Sequence, residues 1–162
     1  MFEVEAIETA DKTEFYRELA EQVSSMLHGE SDETANAANC SALLFDQMPD
    51  LNWAGFYFLR SPDELVVGPF QGKVACVRIK VGKGVCGTAV ERKASILVED
   101  VDAFPGHIAC DSASRSELVV PLIKEGRVLG VLDLDSPLVG RFDADDQAGI
   151  EAIAKIYVEA CA

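Results

Sequence analysis

At Asn52 the apolar residues change from a helical spacing to a spacing of two, and this break limits the folds open to the chain. Upstream of it, Phe15, Leu19, Val23, Met26 and Leu27 form the one-sided stripe of an amphipathic helix from Asp11, ended by His28-Gly29. Ser31 reads as the N-cap of a second helix, with Asp32 and Glu33 in its first turn. Ala35, Ala38, Ala42, Leu43 and Phe45 give that helix its apolar face, and Pro49 stops it. Downstream, Trp53–Leu59, Glu64–Phe70 and Val74–Ile79 alternate as three short strands, punctuated by Ser61-Pro62-Asp63-Glu64 and Gln71-Gly72-Lys73. Turns this short join antiparallel neighbours. A helix near Val85–Arg92 follows, then strands at Ser95–Val98, Ser116–Lys124 and Arg127–Ser136, the last two joined by Glu125-Gly126. A helix from Asp143 to Ala160 closes the chain, acidic at its start and apolar at Ile150, Ile153, Ala154 and Tyr157. This order predicts an α+β fold: a central, mostly antiparallel six-stranded sheet with the N- and C-terminal helices packed together on one side.

A chain of 162 residues fits a single domain, residues 1–162, burying roughly 70% of its unfolded surface without a disulfide or metal. Residues 1–50 supply the two helices, 51–140 the sheet and its loops, and 141–162 the closing helix. The formal net charge of −14 excludes nucleic acid and anionic membranes as partners, since both require a basic patch. No apolar run reaches the length of a membrane span. The start Met1-Phe2-Glu3-Val4-Glu5 is acidic where an export signal is basic and then apolar. Five cysteines without an export signal fit a reducing cytoplasm, where thiols serve as packed hydrophobes, metal ligands or redox groups. Cys40, among Ala and Asn on a helix, reads as a packed small hydrophobe, and Cys161 lies next to the frayed end.

The other three cysteines occupy different settings. Cys76 falls in an alternating run, Cys86 at a Gly-rich turn entering a helix, and Cys110 after Phe104-Pro105-Gly106-His107 in a loop. Three thiols so placed suit a redox relay. Alternation puts Asp133 and Asp135 on one face of their strand, shared with Leu129 and Val131, while Glu117 stands in an apolar strand. Such carboxylates belong either to a solvent face or to a pocket, where mutual repulsion keeps a proton at hand near neutrality. Trp53 and Tyr57 share a face with Gly55 and serve either a core or a pocket wall. His107 is open to three roles: a base for Cys110, a metal ligand or none. His107-x-x-Cys110 alone is half of a zinc pattern, so no metal and no cofactor are expected.

Several segments together resemble the signature blocks of the free methionine-(R)-sulfoxide reductases, stand-alone GAF-domain enzymes. They are Trp53-Ala54-Gly55-Phe56-Tyr57, Gly68-Pro69-Phe70-Gln71-Gly72 and Gly82-Lys83-Gly84-Val85-Cys86-Gly87. With them go His107-Ile108-Ala109-Cys110-Asp111, Glu117–Leu122 and Gly130–Ser136. The resemblance implies a GAF-like domain that reduces the R epimer of free methionine sulfoxide with thioredoxin as reductant. It assigns Cys110 as the attacking thiol, Cys86 as the principal resolving thiol and Cys76 as a second resolving partner or a structural residue. A Cys86–Cys110 disulfide is therefore expected in the oxidised protein, with the loop from Asp102 to Ser114 closed over the acidic face. At a helix start, the Cys86 thiolate would be favoured by the dipole. Glu117 and Asp135, supported by Asp133, would bind the substrate ammonium and supply protons, with Trp53 and Tyr57 around the S-methyl group. A homodimer is compatible with the terminal helices. The rival readings are a non-catalytic GAF sensor for a small ligand or cyclic nucleotide, and a thiol switch acting on a partner protein.

Overall fold

The computed structural model describes residues 1–162. Helix α1 (Lys12–Leu27) starts where the Asp11 carboxylate accepts the Glu14 N–H at 3.1 Å. Helix α2 (Glu33–Gln47) is capped by Asp32, one residue after the expected Ser31, through the Ala35 N–H at 2.8 Å. Glu30 explains the shift, because its carboxylate takes the N–H groups of both Ser31 and Asp32 and holds them before the helix. Strands β1 (Trp53–Ser61), β2 (Glu64–Gly72) and β3 (Arg78–Lys80) precede helix α3 (Gly84–Arg92). After β4 (Ile96–Val98) come β5 (Ser116–Lys124), β6 (Arg127–Ser136) and helix α4 (Ala144–Ala160). The six strands form one sheet in the order β3-β2-β1-β6-β5-β4, with every pair antiparallel.

Alternation along β1 and β6 divides the interior in two. Ala54, Phe56, Phe58, Leu132 and Leu134 face α1, α2 and α4 in a core of 23 buried residues. Trp53, Tyr57 and Val131 point the other way, toward α3, in a smaller cluster of 12. The terminal helices do pack together on one side of the sheet. Gly149 lets α4 lie directly against the Tyr16 ring, which a Cβ would strike. Asp146 then gathers the Tyr16 hydroxyl at 2.7 Å and the Lys12 ammonium at 2.7 Å. No helix is long and apolar enough to cross a membrane.

The third strand differs from expectation. Residues 74–79 read as a strand in sequence, but β3 pairs with β2 only from Arg78 to Lys80; Val67 N–H still reaches the Val77 carbonyl at 2.9 Å, and residues 73–76 run free of the ladder. Pro69 on β2 has no N–H with which to extend the ladder. Meanwhile the Trp53 indole donates to the Lys73 carbonyl at 3.2 Å and the Tyr57 hydroxyl to the Cys76 carbonyl at 2.9 Å. Two aromatic side chains of β1 thus draw this segment across the α3 face of the sheet.

Candidate active site

The register of the three central strands assembles the site. Trp53, Asp135 and Glu117 stand opposite one another across β1, β6 and β5, and Gly55, Asp133 and Val119 form the adjacent row. Directly opposed residues share a face, so the three carboxyls converge on the side occupied by α3. Glu117 and Asp133 are only 6% and 5% exposed. Trp53 stacks between Tyr57, at 5.8 Å, and Phe70, at 5.1 Å, and forms an aromatic wall beside the acids.

The loop between β4 and β5 roofs this floor. Its ends are pinned by Val101 N–H to Arg115 O at 2.8 Å and by Arg115 N–H to Ser136 O at 2.7 Å. Between them, Phe104 O accepts the His107 N–H across Pro105 and Gly106, with Gly106 at φ +73°. That is the bend expected of proline followed by glycine in a type II turn. Farther along, the Asn52 amide holds Asp111 at 3.1 Å and Ser114 at 3.0 Å, tying the loop to the start of β1. Under the roof lies a cavity of about 40 Å³ lined by Trp53, Tyr57, Glu117, Asp133, Asp135 and Cys110, with His107 and Ile108 at its rim.

Cys110 is bonded to Cys76, with Cα atoms 5.5 Å apart. The expected Cys86–Cys110 bond is not the one formed. The extended segment 73–77, drawn over the site by Trp53 and Tyr57, brings Cys76 to the loop. Cys86 remains a free, buried thiol on the first turn of α3 and donates to Asp133 Oδ2 at 3.4 Å. The expected thiolate at this helix start is corrected too. Burial, followed by the charge of Asp133, pushes the Cys86 thiol well above its ordinary value. A helix dipole contributes only about 0.3–1 kcal/mol, and removal of a charge from water outweighs it.

The carboxyls behave alike. Burial, with Asp135 nearby, raises Glu117 well above the usual carboxylate range. Burial and Glu117 do the same for Asp133, and burial and Asp133 for Asp135. The floor of the cavity therefore holds protons rather than a full set of negative charges. His107 Nε2 lies 3.5 Å from Glu117 Oε2, but burial lowers the histidine while Glu117 is raised. This contact joins two neutral groups and is not an ion pair. Asp133 Oδ1 is buried with no hydrogen-bond partner in the chain. Ligating atoms of Cys86, Glu117 and Asp133 lie within 4.8 Å of one another, close enough for one small cationic group to meet all three.

All eight residues singled out in the sequence thus lie at or beside this cavity, with Cys76 bonded to Cys110 of its lining and Cys86 hydrogen-bonded to Asp133. Asn52 and Ser114 carry no site signal in the sequence, being ordinary polar residues, and no local pattern announces the meeting of Asn52 with Asp111 and Ser114 across 59 and 62 positions.

The chain matches the GAF domain family over residues 34–160. It is 52% identical over 143 residues to the free methionine-R-sulfoxide reductase of Escherichia coli (strain K12), covering 88% of this chain and 86% of that protein. A protein of the same name from Saccharomyces cerevisiae is 41% identical, with 93% and 88% of the two chains covered. Among solved structures, the free methionine-R-sulfoxide reductase of Neisseria meningitidis in complex with its substrate superposes with a TM-score of 0.94. Its identity is 44%, over 99% of this chain and 95% of that one.

Proposed function

The chain belongs to the GAF-domain family and within it to the free methionine-R-sulfoxide reductases, and we propose that it reduces the R epimer of free methionine sulfoxide through Cys110, with thioredoxin as electron donor. The observation that carries this reading is the Cys76–Cys110 disulfide beside three proton-holding carboxyls, the buried Glu117 and Asp133 and the half-buried Asp135. Sulfoxide reduction by thiols needs these parts together: a sulfur nucleophile, a proton source for the departing oxygen and a second thiol.

In the reduced protein the Cys110 sulfur attacks the sulfoxide sulfur, whose oxygen is protonated by a floor carboxyl, Glu117 or Asp135. Methionine departs and Cys110 is left as a sulfenic acid. Cys76 then attacks the Cys110 sulfur, the hydroxyl leaves as water, and the disulfide forms. The two thiols have supplied the two electrons. Asp133, held by Cys86, supports the other carboxyls, and one ionised carboxylate among them meets the ammonium of a free amino acid. Trp53 and Tyr57 form the wall for the S-methyl group.

The cavity of about 40 Å³ holds no more than about four waters, at roughly 10–15 Å³ each. An amino acid of methionine's size enters only after the disulfide opens and the loop at Phe104–His107 swings aside. We read residues 1–162 as one domain, since α1, which precedes the matched range, is anchored on α4 by Tyr16 and Lys12.

Turnover of free L-methionine (R)-S-oxide with dithiothreitol, followed by chromatographic detection of methionine, tests the reading. Conversion of the R epimer with the S epimer left intact is the expected result. No conversion of either epimer would sink it.

A further inference from the structure

The disulfide offers a reductant two sulfurs, and their surroundings differ. Cys110 lines the cavity beside Asp111, Glu117, Asp133 and Asp135, a space of about 40 Å³ that is too small to admit the thiol of a protein reductant. Cys76 does not line that cavity. It lies in the segment 73–77, which begins at the cation Lys73 in a chain whose net charge is −14, whereas the neighbouring Arg78 is paired with Glu64 at 2.8 Å. Beside Cys76, Val74 is 87% and Val77 59% exposed, and Ile108 shares the cavity rim with Val74. Exposed aliphatic side chains clustered in this way mark a contact surface. The backbone adds a second feature. The carbonyls of Lys73 and Cys76 are held by Trp53 and Tyr57, whereas the N–H groups of Val74, Ala75 and Cys76 donate to nothing in the chain. The segment is thus held by two of its carbonyls, with the donors between them free.

We propose that residues 73–77 are the docking surface for a dithiol protein reductant, which pairs with the free main-chain donors of this segment and attacks Cys76 Sγ rather than Cys110 Sγ. The inference rests on the reading of the chain as a thiol-dependent reductase. Alternate side chains and free main-chain donors are what an added extended segment recognises. Lys73 favours the approach of a thiolate, and the exposed Val74 and Val77 provide an apolar rim around it. The reductant's thiolate bonds to Cys76 Sγ, the Cys76–Cys110 bond breaks, and Cys110 leaves as a thiolate that takes a proton from the carboxyls around it. The reductant's second thiol then attacks its own bonded sulfur, releasing Cys76 as a thiolate. The reductant ends as a disulfide, and both electrons have come from its two thiols. Because the leaving sulfur is the one on the cavity side, the nucleophile is delivered directly to the substrate site.

Oxidised protein is mixed with a thioredoxin whose resolving cysteine has been replaced by serine, and the trapped adduct is alkylated, digested and mapped by mass spectrometry. The adduct is expected on Cys76, and an adduct on Cys110 overturns the proposal. The double variant Lys73→Glu, Val77→Asp is then reduced by intact thioredoxin and, separately, by dithiothreitol. Reduction by thioredoxin is expected to slow at least tenfold with the dithiothreitol rate unchanged. No slowing, or equal slowing with both reductants, overturns the proposal. A Cys76 adduct from a protein that converts no methionine sulfoxide with dithiothreitol would support the docking surface and refute the reductase reading.

Discussion

Replacing Cys76 with serine should remove the dependence of stability on redox state, and replacing Cys86 should not. The disulfide closes a loop with a sequence separation of 34. The chain-entropy relation gives about 4 kcal/mol for a loop of that length. For a chain of 162 residues, each kcal/mol moves the melting temperature by roughly 2–4 °C. The oxidised wild-type protein should therefore melt about 8–16 °C above the same protein in dithiothreitol. Cys76→Ser should melt at one temperature in both conditions, and Cys110→Ser should match it. Cys86→Ser should keep the full difference, since its thiol is free and only donates to Asp133. Differential scanning calorimetry with and without reductant reads all four proteins. A redox-dependent shift that survives in Cys76→Ser but vanishes in Cys86→Ser would refute the pairing and restore Cys86 as the partner of Cys110.

Three further outcomes follow from the site and the core. Cys110→Ser should lose turnover while retaining its fold, and Cys76→Ser should release about one methionine per chain and then stall with thioredoxin; rapid-quench assays read both, and sustained thioredoxin turnover by Cys76→Ser would contradict the relay. Glu117, Asp133 and Asp135 have folded-state values raised above their unfolded ones, so their stability contribution is complete below the ordinary carboxylate range near pH 4 and is lost as pH rises through the raised values. Asp133→Asn should flatten that decline in a series of urea melts, and an unchanged slope would count against a protonated floor. Gly149→Ala puts a methyl into the Tyr16 ring and should cost about 1–3 kcal/mol; a neutral result in chemical denaturation would mean that α1 and α4 separate more easily than their packing implies.

The sequence alone determined the elements and their faces, because these depend on local periodicity and turn chemistry. The change of spacing at Asn52, the hairpin at Glu125-Gly126 and the bounds of β5 and β6 are all legible in the order of residues. Alternation likewise separated Phe56 and Phe58 from Trp53 and Tyr57, and Leu132 and Leu134 from Asp133 and Asp135. It could not say whether the acidic face met water or α3. That depended on α3 and the loop after β4 covering the sheet, which buries Glu117 and Asp133 and so reverses their usual ionisation. Nor could local pattern choose between Cys76 and Cys86 as the partner of Cys110. The choice was made by two hydrogen bonds from β1, Trp53 to Lys73 and Tyr57 to Cys76, across 20 and 19 positions. They lift an alternating run off the sheet edge that its side-chain pattern favours and set its cysteine beside the loop. A disulfide is decided by where two sulfurs meet in space, and that meeting is a property of the assembled sheet rather than of either segment.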